Sequence, residues 1–179
     1  MNKTEENNLK TGQIEIKTYP NAKRKVAFNI TAQRIMIDWG DGTFDKLIRN
    51  GVNQSFTHEY SNQGLQTINV NTEGMTEFDC SNDYWHIASG TFQELIFHNC
   101  TDLTSIYCFG NQLTALDVSG CTSLMEIDCR YNELSAFALN DLFNSLPTRT
   151  QGDNAIIDCV YYQQGCDTTI ADKKGWKVN

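Results

Sequence analysis

Cys100-Thr101-Asp102-Leu103-Thr104-Ser105-Ile106-Tyr107-Cys108-Phe109-Gly110-Asn111-Gln112-Leu113 realigns without a gap on Cys121-Thr122-Ser123-Leu124-Met125-Glu126-Ile127-Asp128-Cys129-Arg130-Tyr131-Asn132-Glu133-Leu134, 21 residues later. A period in the twenties is the mark of stacked coils. Each coil is too small to bury its own apolar edge and does so against the coils above and below.

Written as a template, the two copies read L-x-x-I-x-C-x-x-N-x-L, a leucine-rich-repeat pattern. Alternation around Ile-x-Cys predicts a short strand with side chains on alternate faces. Leu103/Leu124, Ile106/Ile127, Cys108/Cys129 and Leu113/Leu134 then point inward, and Asn111/Asn132 hydrogen-bond the backbone of the turn that leaves the strand. The residues between them face out: Ser105, Tyr107 and Phe109 on one coil, Glu126, Asp128 and Arg130 on the next.

Degenerate copies flank this pair. Phe78-Asp79-Cys80 resembles Ile127-Asp128-Cys129, and the wider interval from Cys80 to Cys108 predicts a bulging loop over Asp83–Gly90. Leu139, Leu142, Phe143 and Leu146 have the spacing of a two-turn helix stopped before Pro147, and Ile156-Ile157-Asp158-Cys159 reads as a final strand of the series. About four rungs result, so both ends of the stack need caps. Ile170, Trp176 and Val178 supply the C-terminal one.

Residues 12–74 have a different texture. Strand-like runs at Gln13–Lys17, Val26–Ile30, Ile35–Trp39 and Thr67–Val70 are separated by turn signals at Pro20-Asn21, Gly40-Asp41-Gly42, Asn50-Gly51 and Ser61–Gly64. This predicts a small antiparallel β-sandwich. At about 60 residues such a unit is marginal alone, and the coils that start at Met75 with no linker are its natural support. The expected fold is therefore mainly β. A flexible terminus over 1–11 leads into a sandwich over 12–74 that caps a short leucine-rich-repeat solenoid over 75–179 with its own C-terminal cap.

Two stretches of the first region, Ile37-Asp38-Trp39-Gly40-Asp41-Gly42-Thr43 and Thr57-His58-Glu59-Tyr60 through Gly64 to Ile68, resemble polycystic-kidney-disease-type (PKD-like) sandwich domains. The resemblance implies that Trp39 anchors a core, that Gly40 and Gly42 take positive φ, and that Asp41 caps the hairpin. Together with Leu116-Asp117-Val118-Ser119-Gly120-Cys121-Thr122-Ser123-Leu124 and the closing stretch Ile170–Val178, the chain resembles leucine-rich-repeat surface proteins of Bacteroides-type bacteria. That resemblance implies an exported binding or adhesion protein, at the cell surface or secreted.

Composition narrows the chemistry. The net charge is -8, and no basic cluster exceeds Lys23-Arg24-Lys25, which argues against nucleic acid as a partner. No run of 18 apolar residues predicts a membrane span, and the polar stretch Met1–Gln13 does not read as a signal peptide. Seven cysteines raise the question of zinc. Cys100, Cys108, Cys121 and Cys129 read C-x7-C-x12-C-x7-C, without the short C-x2-4-C hairpins of a zinc site, so they are expected as buried thiols. Only Cys159 and Cys166 stand open for a disulfide.

His58, His86 and His98 lack metal-type spacing. His58 belongs to the PKD-like motif and is expected to be structural, and His98 to be exposed. Asp38 and Asp41 fall short of a calcium shell and read as turn caps. No hydrolase or nucleotide motif is present, and no cofactor, metal or catalytic role is expected.

Function is sought instead on the outward strand columns. One is Asp79, Tyr107, Asp128, Asp158; its neighbour is Ser81, Phe109, Arg130, Val160, with Tyr131 beyond the third strand. Adjacent rungs lie about 4.7–4.9 Å apart, so Tyr107, Phe109, Asp128 and Arg130 form one patch, of the residue types favoured at binding hot spots. The expected function is non-enzymatic contact with a protein or glycan through Asp79, Tyr107, Phe109, Asp128, Arg130, Tyr131 and Asp158. The alternative is a structural or assembly domain without its own ligand site.

Overall fold

The computed structural model describes residues 11–19, 25–62, 64–82, 91–150, 152–159 and 165–179. The expected loop over Asp83–Gly90, the turn at Pro20-Asn21, His86 and Val160 lie outside them. The described chain is mainly β. Its elements are β1 (Thr11–Tyr19), β2 (Lys25–Asp38), β3 (Phe44–Glu59), β4 (Gln66–Glu73), β5 (Glu77–Asp79), β6 (Thr91–His98), β7 (Ser105–Tyr107), β8 (Ala115–Asp117), β9 (Glu126–Asp128), α1 (Ala136–Ser145), β10 (Ala155–Asp158), α2 (Thr169–Asp172) and β11 (Trp176–Val178). All eleven strands belong to one mixed sheet.

The 21-residue repeat becomes a parallel ladder, β5-β7-β9-β10-β11. Phe78 stands opposite Ile106, Ile106 opposite Ile127, Ile127 opposite Ile157 and Ile157 opposite Val178, at intervals of 28, 21, 30 and 21 residues. The 30-residue interval contains α1, which replaces a return strand. Leu103, Ile106, Cys108, Leu113, Leu124, Ile127, Cys129 and Leu134 are all buried, as the register requires. Five rungs form where about four were expected. The difference is β11, because Trp176–Val178 hydrogen-bonds in parallel with Ala155–Ile157 and extends the ladder instead of merely covering it.

The predicted helix is α1. Ser135 caps it by accepting a hydrogen bond from the Ala138 amide, and Leu139, Leu142 and Phe143 face the core. It ends at Leu146, whose successor Pro147 disfavours helical geometry before it. Trp176 Nε1 then donates to the Pro147 carbonyl at 2.8 Å and ties the last rung to the end of α1.

The described residues up to 74 depart from expectation in two elements, β2 and β3. Val26–Ile30 and Ile35–Trp39 do not form two strands; β2 runs through both, with an irregularity between Ala32 and Arg34. Along one edge it pairs with β3, a strand that crosses the Asn50-Gly51 turn signal. Those residues form a bulge, with Gly51 at φ 69°, where the chain kinks without reversing. Bulges also protect strand edges that have no partner among the described residues, such as that of β3.

The other edge of β2 is divided. Asn29–Thr31 pair with β5, the first rung, while Arg34–Asp38 pair with β4. From this fork one branch carries the ladder, and the other runs β4-β1-β6-β8. The sheet thus passes residue 74 without interruption. The two branches face each other across a shared core, in which Phe28 contacts Trp39, Phe56, Phe78 and Phe92, and Phe78 meets Phe97 edge-on at 5.5 Å. Among the described residues no helix is long and apolar enough to cross a membrane.

Candidate functional site

The ladder sets the outward columns by backbone register. Asp79 lies beside Tyr107, Tyr107 beside Asp128, and Asp128 beside Asp158. The chain leaves β5 and β9 at a carboxylate for a local reason. Asp79 Oδ1 accepts the Ser81 amide at 2.9 Å, and Asp128 Oδ1 accepts the Arg130 amide at 3.2 Å, turns that stop the strand two residues on. One turn further, Asn111 and Asn132 brace the stack. Asn132 Nδ2 donates to the carbonyls of Cys108 and Cys129 while its oxygen accepts the Leu113 amide, and Asn111 does likewise with Cys80, Cys108 and the Phe92 amide.

On this frame Tyr107, Phe109, Asp128, Arg130 and Tyr131 form one connected surface. The Arg130 guanidinium is bidentate on Asp128, with Nε to Oδ1 at 2.9 Å and Nη2 to Oδ2 at 2.7 Å, and its carbon lies 5.7 Å from the Phe109 ring centre. Phe109 in turn meets Tyr131 edge-on at 5.0 Å. Tyr131 is held at φ 55° and is 54% exposed, so its ring stands at the rim. The Tyr107 hydroxyl donates to Glu126 Oε2 at 2.9 Å; partial burial and that carboxylate both raise the phenol above its usual range.

Asp79 and Asp158 sit in the same column but have partners of their own, Ser81 for the first and Asn179 Nδ2, at 2.9 Å, for the second. Glu126 is the residue that the column reading passed over. It belongs to the neighbouring outward column, opposite Ser105, and reaches Tyr107 diagonally. Diagonal neighbours on a sheet face are within reach of long side chains, and that signal was available in the repeat register.

Chemically, the patch offers ring faces and a planar cation whose orientation is fixed. Its carboxylates are engaged, both Asp128 oxygens with Arg130 and Glu126 with Tyr107. Among the described residues no three His, Cys, Asp or Glu side chains group as a metal site. Cys80, Cys108 and Cys129 are buried in the ladder, where desolvation drives their thiols well above the ordinary range. Cys159 is also a buried thiol, pushed up to about 12 by burial and by neighbouring Cys166.

The second constellation is the corner at Trp39, which is 1% exposed. Gly40 and Gly42 have φ of 81° and 89°, and a Cβ on Gly40 would fall 2.3 Å from the Thr67 carbonyl oxygen. Asp41 Oδ1 accepts from the Thr43 amide and hydroxyl, and Asp41 Oδ2 lies 2.8 Å from His58 Nε2. His58 stacks on Trp39 at 4.7 Å, and the Tyr60 hydroxyl donates to the Trp39 carbonyl. Asp38 likewise accepts the Gly40 amide. These carboxylates are turn caps in a packed corner, and His98 is exposed. Compared with known family models, curated proteins and solved structures, the chain matches none.

Proposed function

We propose that this chain is a non-enzymatic binding module that contacts a protein or glycan through the outward face of its rungs. The observation that carries the proposal is the connected set Tyr107, Phe109, Arg130 and Tyr131. Aromatics and arginine dominate binding hot spots, and here Asp128 fixes the guanidinium in advance. A group already held in place loses less conformational freedom when a partner arrives. The asparagine bonds and the in-register rungs support reading residues 75–179 as a short leucine-rich-repeat solenoid, and the Trp39 corner supports a PKD-like unit before it. On that likeness the module belongs to a bacterial surface or secreted protein.

The test is a panel of host-matrix proteins and a glycan array probed with the wild-type chain and with Tyr107→Ala/Arg130→Ala. A ligand found with the wild type should be lost, by tenfold or more in affinity, in a variant whose circular dichroism is unchanged. Binding undiminished in the variant would exclude the rung face. A second reading, an assembly domain, is favoured by one observation: β11 ends the strand order, so among the described residues one of its edges has no strand beside it. Concentration-dependent oligomers in light scattering would favour that reading.

A further inference from the structure

On the branch across the core from the rungs, α1 packs beside β8 where another strand would continue the sheet. A groove of about 600 Å³ runs along this junction, within the range of ligand-sized clefts. Ile96 and Ala115 on the sheet and Phe137 on the helix give it apolar surface. Phe137 is 76% exposed, the highest value among the large hydrophobic residues described. An isolated exposed aromatic needs no explanation, but one at the lip of a groove is a contact surface waiting for an apolar group.

The charge in the groove is of one sign. Asp117 and Asp141 line it, and no Lys, Arg or His does. Asp117 keeps one oxygen on the Ser119 amide at 2.8 Å, which fixes the carboxylate in place. The groove's helical wall extends from Phe137 through Asp141 to Ser145, roughly 12 Å at the helical rise, the span of three to four extended residues. Phe137 and Asp141 are four residues apart, about 6 Å along the helix axis. Same-face side chains of an extended chain, two residues apart, repeat at nearly that distance, about 6.6 Å.

We propose that this groove docks an extended peptide segment in which an apolar residue and a lysine or arginine stand two positions apart. The apolar side chain packs on Phe137 and Ile96, and the cation is taken by Asp141 and Asp117. The net charge of -8 draws such a segment in, and the aromatic and the carboxylates set where its apolar and cationic side chains lie. This site is separate from the rung-face patch and does not depend on it.

The probe is a fluorescein-labelled peptide, Leu-Ser-Lys-Ser-Leu-Ser-Lys, titrated by fluorescence anisotropy against the full chain, with Leu-Ser-Glu-Ser-Leu-Ser-Glu as control. The lysine peptide should bind saturably and the glutamate peptide should not. Asp117→Asn/Asp141→Asn and Phe137→Ala should each weaken binding tenfold or more. Asp102→Asn/Asp172→Asn, which removes the same charge from exposed sites elsewhere, and Tyr107→Ala/Arg130→Ala should change it less than twofold. Asparagine at 117 can still accept the Ser119 amide, and Phe137 is exposed, so the variants should retain the wild-type circular dichroism. The proposal is overturned if the lysine peptide fails to saturate, if both aspartate pairs weaken it equally, or if the loss follows Tyr107 and Arg130.

Discussion

Asp41 shows how much a single side chain can be asked to do. One oxygen closes the hairpin onto Thr43, and the other holds His58 flat against Trp39. The hydrogen bond from the Thr43 hydroxyl, followed by His58, holds its carboxyl down at about 2, below the ordinary value of 3.8. A depressed folded-state value means the ionised form is favoured by folding, so the contribution is complete above about pH 4 and disappears as pH falls through about 2. Urea midpoints of the wild type and Asp41→Asn should therefore differ at pH 5 and converge between pH 4 and 2. A gap that persists at pH 2 would show that the carboxylate's charge is not what stabilises the corner. The turn itself was legible from the residues because Asp41 and Thr43 are two apart, whereas the bonds from His58 and Tyr60 span 17 and 21 residues and left no local sign. Tyr107 and Glu126 were harder to join. Their contact depends on the diagonal offset between rungs, which a column-by-column reading leaves out.

Among elements, the rungs were the most readable and β3 the least. A strand that recurs every 21 residues carries its own alignment, since Leu103 and Leu124 must meet the same neighbours one coil apart. Leu124 is fully buried, and Leu124→Ala should cost roughly 2–5 kcal/mol in urea denaturation, as expected for a leucine removed from a core that cannot collapse. A loss under about 0.5 kcal/mol would contradict the register. β3 failed to show itself because Asn-Gly is the commonest hairpin signal, and only the uninterrupted β2 opposite it converts that signal into a bulge. β11 was read as a lid for a related reason. Three residues carry too little pattern to separate a strand added in parallel from a cover laid across the end.

For the molecule as a whole, the consequential pairing is that of β2 with both β4 and β5. Chains of repeats can unfold piecemeal when each unit touches only its neighbours. Here the first rung cannot leave without breaking bonds to a strand that also holds β4 and β3. The expected result is one cooperative unit: in native-state hydrogen exchange, the amides of Ile37, Val70 and Ile127 should report the same opening free energy. A value for Ile127 lower by 2 kcal/mol or more would mean that the ladder opens independently. Nothing local in the sequence announced this fork, because antiparallel partners distant in the chain leave no periodic trace in either strand.

β1 carries a different implication. It pairs with β4 on one edge and with β6 on the other, so that Ile16 meets Ile68 on one side and Leu95 on the other. While the chain is being synthesised, β1 emerges before the other described strands, yet its second edge lacks β6 until the chain has lengthened past His98. The first rung is equally unfinished until Ser105–Tyr107 arrive. A ribosome that pauses between residues 74 and 91 would hold out a nascent sheet with both edges bare, the state in which a growing chain is most open to pairing with the wrong strand.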